Sequence, residues 1–209
     1  MKIGIIGAGH IGGTLTRRLT KLGHEVFVAN SRGPDTLQDL ARETGAHAVE
    51  VRDAAHAAKF VVVTVPEAHV TNLADIFDDV PEDVVVIDTC NYYPKRDGRI
   101  APLEDGKPQS KWVSEQLGHR VIKAFNNIQA QHLMEMGRPK GDVNRIALPV
   151  AGDDAPAKQA VMKLVDDLGF DPIDAGGLDD SWKQQPGTPV YATDLGADGV
   201  RKALAEATH

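Results

Sequence analysis

Glycines at positions 7, 9 and 12 are spaced as Gly-x-Gly-x-x-Gly, and about twenty residues further on stands Asn30-Ser31-Arg32. The chemistry open to that pairing is the binding of a pyrophosphate and of a second, separate phosphate. Each glycine excludes a Cβ for its own reason. Gly7 allows a tight strand-to-helix turn, Gly9 lets backbone N–H groups approach a pyrophosphate, and Gly12 lets helix and strand pack closely. Ala8, His10 and Ile11 complete the turn, and an anion is expected at the positive end of the helix that starts there. At the end of the second strand an Asp or Glu would hydrogen-bond the ribose hydroxyls of NAD and repel a 2′-phosphate. Asn30, Ser31 and Arg32 instead offer an amide, a hydroxyl and a planar fork of donors matched to phosphate oxygens. NADP(H) is therefore the expected coenzyme. The alternatives are a glycine-rich turn that holds no nucleotide, and an Arg32 that is merely solvated.

These residues need a strand-helix-strand unit to position them. The apolar run Ile3 to Ile6 precedes the turn, Ile11, Leu15, Leu19 and Leu22 follow at helical spacing, Gly23 is placed to stop the helix, and Glu25 to Ala29 reads as the next strand. Downstream the alternation continues. Pro34 opens a helix with Leu37, Leu40 and Ala41 on its apolar face, and a short strand is expected over residues 48–51. Phe60 to Val65 has the unbroken β-branched character of a strand covered on both faces. A helix carrying Val70, Leu73, Ile76 and Phe77, a strand over 84–88, a helix packing Trp112, Val113 and Leu117 with Ser110 as its cap, and a strand over 121–125 follow. Residues 146–150, 155–168 and 170–173 read as strand, helix and strand, a unit expected to extend the same sheet, and residues 198–207 as a last helix. The expected fold is α/β, a Rossmann-type doubly wound and mainly parallel sheet with a C-terminal strand-helix-strand extension. One domain is expected over residues 1–209, with a core to about 130 and the extension and tail from about 140.

Composition narrows the function. Lys and Arg number 23 against 30 Asp and Glu, a net charge of −7 with both signs interspersed, so no basic face argues for nucleic acid. Cys90 is the single cysteine, which excludes an internal disulfide framework and fits a reducing compartment. A cytoplasmic protein without membrane attachment is expected, since no apolar run approaches spanning length and the first core strand starts at residue 2.

Ligands of open parallel sheets bind beyond the carboxyl ends of the strands, where strand order reverses. In order those ends are the glycine turn, Asn30-Ser31-Arg32, Thr64-Val65-Pro66, Thr89-Cys90-Asn91 and Asn126-Asn127. Val65-Pro66 presents an apolar edge on which a nicotinamide ring could rest; alternatively Pro66 only starts the next helix. His10 and His69 are expected near the pyrophosphate and the nicotinamide, as hydrogen-bond donors or as solvated side chains. Asn126 and Asn127 could orient the carbonyl edge of a hydride acceptor, or simply form a turn. Lys95, Arg96, Arg99, Lys107 and Lys111 could attract an anionic acceptor tail, or belong to a solvated loop interleaved with Asp97, Glu104 and Asp105. No side chain stands out as catalytic. No metal site is expected, because the histidines lack ligand spacing and Cys90 lacks a cysteine partner, and Cys90 reads as a small buried residue.

The glycine turn, Asn30-Ser31-Arg32-Gly33-Pro34, Val65-Pro66, Asn91-Tyr92-Tyr93-Pro94, Lys123-Ala124-Phe125-Asn126-Asn127 and Gln185-Pro186-Gly187-Thr188-Pro189 together resemble the coenzyme F420-dependent NADP oxidoreductase family, in a bacterial branch. The likeness runs over nearly the whole chain. Its first three features are shared with Steap metalloreductases and pyrroline-5-carboxylate reductases. The resemblance implies NADPH lying along the carboxyl edge of the sheet, hydride passing to a flat deazaflavin, Ser31 and Arg32 in the 2′-phosphate role, and a homodimer.

Size points the same way, because relatives that reduce small substrates need a sizeable helical domain to enclose them. A planar acceptor such as coenzyme F420, FMN or FAD is held by stacking and needs less enclosure. Reduction of a small imine or carbonyl compound, or a non-catalytic NADP(H)-sensing module, are the competing readings.

Overall fold

The computed structural model describes residues 1–208. Strands β1 (Lys2–Ile6), β2 (Glu25–Ala29), β3 (His47–Ala48), β4 (Phe60–Val63), β5 (Val85–Asp88) and β6 (Val121–Lys123) form one sheet in the order β3-β2-β1-β4-β5-β6. Every pairing in it is parallel. The order reverses between β1 and β4, which opens a crevice at their carboxyl ends. The connecting helices are α1 (His10–Lys21), α2 (Gln38–Thr44), α3 (Val51–His56), α4 (Ala74–Phe77), α5 (Pro94–Asp97), α6 (Ala101–Glu104) and α7 (Gln109–Leu117), with 3-10 turns over Pro34–Leu37 and Glu67–Leu73. The fold is the doubly wound Rossmann-type sheet expected from the alternation.

Strand alternation sorts the core into two layers. Ile3, Ile5, Val62, Ile87 and Ile122 pack with Leu15 and Leu19 of α1, while Val61, Val63, Val86 and Val121 pack with Ala54 of α3 and with Trp112 and Val113 of α7. Gly4 makes the second layer possible, since a Cβ there would lie 1.9 Å from the Ala54 carbonyl oxygen. Gly23, at φ 83°, ends α1 as expected, but Leu22 caps the helix and is exposed rather than continuing its buried stripe.

Three local expectations are corrected. The third strand stops at Ala48 and residues from Val51 form α3. Ser110 lies inside α7, which starts after Pro108, and its hydroxyl goes to a buried carboxylate instead of capping. The sixth strand ends at Lys123, because Phe125 takes φ 60° and turns the chain out of the sheet.

After α8 (Ala130–Glu135) the chain forms β7 (Ala147–Val150), α9 (Ala155–Asp167) and β8 (Asp171–Asp174), the expected strand-helix-strand unit. It attaches to the main sheet less fully than expected. β7 and β8 pair with each other in parallel, and the junction is one antiparallel bridge in which Lys123 and Ala151 exchange backbone bonds of 2.8 and 3.1 Å. A 3-10 helix over Leu178–Gln184 and α10 (Ala197–Glu206) complete the chain, and Val200 and Ala203 cover Ala147 and Ile173. Among the described residues no helix is long and apolar enough to cross a membrane.

Candidate functional site

The glycine turn is tight for two different reasons. A Cβ on Gly7, which has φ 105°, would lie 2.2 Å from the Thr64 carbonyl oxygen, and one on Gly12 would lie 1.9 Å from the Gly7 carbonyl oxygen. These two glycines serve the packing of the protein itself. Gly9 does not: nothing stands within 4 Å of a Cβ built there. It is also the residue before α1, whose first turn carries no acidic side chain and no side-chain cap. The backbone at Gly9, His10 and Ile11 therefore presents N–H groups to open space, the arrangement that binds an anion.

At the end of β2, Asn30 Oδ1 accepts the Arg32 backbone N–H at 2.9 Å and Asn30 Nδ2 donates to Thr36 Oγ1 at 2.9 Å, which fixes the turn. Ser31 and Arg32 are exposed. The Arg32 guanidinium makes no ion pair or hydrogen bond among the described residues. Its neighbour Arg17 differs, because Glu43 grips it with two bonds of 2.6 and 2.7 Å. Arg32 is thus the free fork of donors on this wall.

Three cavities open along the strand ends, and Gly9 is on the wall of all three. One of about 670 Å³ runs past Ala8, His10, Gly13, Arg17, Arg32 and Thr36. One of about 360 Å³ is lined by Asn30, Ser31, Val51, Thr64, Val65, Pro66 and His69. The third, of about 590 Å³, is lined by His10, Ile11, Thr64, Val65, Pro66, Cys90, Asn91, Tyr93, Arg96, Asn126 and Tyr191. The strand-end residues read from the sequence, Asn127 excepted, therefore line neighbouring cavities that share Gly9 on their walls. His69 shares the second cavity with Val65 and Pro66, the expected nicotinamide wall, as well as with Asn30 and Ser31, and does not line the third cavity with Asn91.

Asn126 and Asn127 have different surroundings. Asn126 lines the third cavity, but its amide is committed: Nδ2 donates to Asn91 Oδ1 at 3.1 Å and to the Gln184 carbonyl at 2.7 Å, and Oδ1 accepts from Gln184 Nε2 at 2.9 Å. It locks the tail to β5. Asn127 is buried, off the cavity wall, with its side-chain atoms unpartnered. The outer wall comes from Tyr93 and Tyr191, whose hydroxyls hydrogen-bond each other, with the Arg96 guanidinium 4.9 Å from the Tyr93 ring centre. Burial, and then the Tyr93 hydroxyl, push the Tyr191 pKa up, so this phenol keeps its proton. Among the described residues all of the basic stretch but Lys95 is paired: Arg96, Arg99, Lys107 and Lys111 pair with Asp97, Glu104, Glu115 and Asp179.

Beneath this wall lies a group of buried charges that sequence reading passed over. Asp88 and Lys123 are paired across the register of β5 and β6, and both are fully buried. Asp88 Oδ2 accepts from Lys123 Nζ at 3.0 Å and from Ser110 Oγ at 2.7 Å, and Oδ1 accepts the Cys90 backbone N–H at 2.8 Å. Lys123 Nζ also donates to the Cys90 carbonyl. Cys90 is buried as expected, and burial, reinforced by Asp88 and Glu67, pushes its thiol far up. The signal available in the sequence was a charge at the end of each of two otherwise apolar strands, which burial forces into a pair.

The family described as NADP oxidoreductase, coenzyme F420-dependent, matches residues 2–92. Over 213 aligned residues the chain is 32% identical to the F420-dependent NADP reductase of Methanothermobacter thermautotrophicus, covering 91% of this chain and 87% of that protein. A stretch of 66 residues is 46% identical to the YjhV protein of Escherichia coli; it is 32% of this chain and spans about half, 48%, of that relative's length. Among solved structures, a protein of Sinorhizobium meliloti superposes with a TM-score of 0.79 at 33% identity, covering 95% of this chain and 97% of the other.

Proposed function

The chain belongs to the coenzyme F420-dependent NADP oxidoreductase family, and from that premise we propose that it passes hydride between NADP(H) and a planar acceptor, with the deazaflavin coenzyme F420 as that acceptor. The observation that carries the coenzyme half is the pairing of open space at Gly9 with an unengaged guanidinium at Arg32. A glycine that the protein's own packing does not require, at the amino end of a helix, suits a pyrophosphate. A free planar donor at the end of β2, beside the Ser31 hydroxyl, suits a 2′-phosphate.

Each wall then has a task. The α1 amides hold the pyrophosphate, Ser31 and Arg32 hold the extra phosphate, and Val65-Pro66 offers an apolar face to the nicotinamide. When bound, NADP(H) supplies or takes up the hydride. Tyr93 and Tyr191 form the opposite wall, where a flat ring could be stacked and water excluded. The paired Tyr93 and Tyr191 hydroxyls carry two protons and use one between them, so the other can be donated to the acceptor's edge. No other side chain is required, because alignment of two rings makes the transfer effectively unimolecular.

The test is to mix purified protein with NADPH and, separately, coenzyme F420, FMN, FAD or a quinone, following loss of the reduced nicotinamide absorbance. Turnover with the deazaflavin well above the other acceptors is expected. Tight NADPH binding without turnover on any of them would favour a sensing module. Turnover confined to small imines or carbonyls would replace the flat-acceptor reading.

A further inference from the structure

Glu67 follows directly on Val65-Pro66, and its side chain is fully buried, with no donor within hydrogen-bonding distance of either carboxyl oxygen. The nearby ammonium, Lys123, is already held by Asp88 and the Cys90 carbonyl. Asp88 and Lys123 cancel, so ionising Glu67 leaves an uncompensated charge, whereas a neutral Glu67 leaves none. The groups that face it are few. β5 and the residues after it bring Asp88 and Cys90, β6 brings Lys123, and α5 brings Asp97 and Arg96, paired with each other. α7 packs alongside with Ser110, bound to Asp88, while its Lys111 and Glu115 are tied up at the surface; Asp75 of α4 is exposed. Burial first, and Asp88 second, push the Glu67 pKa up to about 8. The Cys90 thiol lies far higher, so near neutrality Glu67 is the member of this group that changes charge.

We propose that Glu67 sets which redox form of the coenzyme the protein prefers, favouring NADPH when neutral and NADP⁺ when ionised. This rests on the reading that the nicotinamide lies against the Val65-Pro66 wall. The two forms share the adenosine, both ribose units and all the phosphates, and differ in that the oxidised ring carries a positive charge. A carboxylate behind a low-dielectric wall attracts that ring and does little to the neutral one. By linkage, NADP⁺ binding to the neutral acid releases the Glu67 proton to solvent, and NADPH binding leaves it in place.

The experiment is a titration of both coenzymes from about pH 6.5 to about pH 9.5, read as the ratio of the NADPH to the NADP⁺ dissociation constant. Ionisation of the 2′-phosphate acts on both coenzymes and cancels in that ratio. It is expected to rise about tenfold with pH in the native protein, equivalent to one unit of pKa shift. In Glu67→Gln it stays at the acid-side value. A flat ratio in the native protein, or an undiminished rise in folded Glu67→Gln, overturns the proposal. An infrared difference spectrum of the native protein at neutral pH supplies the same answer without a variant. NADP⁺, and not NADPH, should weaken a protonated-carboxyl band by about half, as a one-unit shift from about 8 requires near neutral pH, and an unchanged band with both overturns the assignment. If neither coenzyme binds at any pH, the coenzyme site itself is wrong and this proposal falls with it; binding without the pH-dependent ratio removes only the proposal.

Discussion

At the β1–β2 end of the crevice the chain presents backbone and exposed side chains: the amides before α1, open space at Gly9, and Arg32 facing solvent. At the β4–β6 end it presents buried side chains below the wall, Asp88, Lys123, Ser110 and Glu67, with buried Asn126, half-buried Asn91 and Tyr191 and exposed Tyr93 around it. The first end can bind a highly charged ligand at little cost to the fold, because its groups are solvated until the ligand arrives. The second end is part of the core. Residues there that affect the reacting ring must also affect stability, which separates the two ends experimentally.

The largest effect is expected from Asp88→Ala, which leaves Lys123 buried without its carboxylate. Urea unfolding should show a loss of about 4 kcal/mol, and a loss below about 1 kcal/mol would mean the pair behaves as a surface one. Next comes a comparison within the glycine turn. Gly12→Ala drives a Cβ onto the Gly7 carbonyl and should cost about 3 kcal/mol. Gly9→Ala, at an ordinary φ of −73° and in open space, should leave Tm unchanged while weakening NADPH binding about tenfold. Similar Tm losses for both would erase the distinction between packing and ligand glycines.

Glu67 sharpens the contrast through pH. Its folded pKa of about 8 stands above the ordinary 4.5, so the native state keeps a proton that the unfolded chain releases. Its contribution to stability therefore falls as pH rises between those values and is constant above them. Glu67→Gln cannot ionise. It should come close to the native protein near pH 5 and exceed it by about 4 kcal/mol near pH 8, measured by unfolding at both pH values. A difference independent of pH would show that Glu67 is ionised throughout. The smallest effect is expected from Tyr191→Phe, which removes one hydroxyl pair and about 1 kcal/mol. It should lower turnover with the acceptor and leave NADPH affinity unchanged.

The end built from backbone was legible in the sequence, and the end built from side chains was not. Gly7, Gly9, Gly12 and Asn30-Ser31-Arg32 lie within one strand-helix-strand unit, so spacing alone places them. Asp88 and Lys123 become neighbours only through the β5–β6 register, and Tyr93 meets Tyr191 across a separation of 98 residues. Neither meeting is encoded in local spacing. The attachment of the β7–β8 unit escaped for a similar reason. The reversal at Phe125 decides it, and an apolar residue with φ 60° inside an apolar run has no compositional mark.

The coenzyme assignment is tested most directly by measuring NADPH and NADH dissociation constants for the native protein and for Arg32→Ala. NADPH affinity is expected to fall by about thirtyfold with the loss of a charge-assisted phosphate contact, and NADH affinity by less than about threefold. Equal losses for the two coenzymes, or no loss for either, would contradict a 2′-phosphate held by this guanidinium.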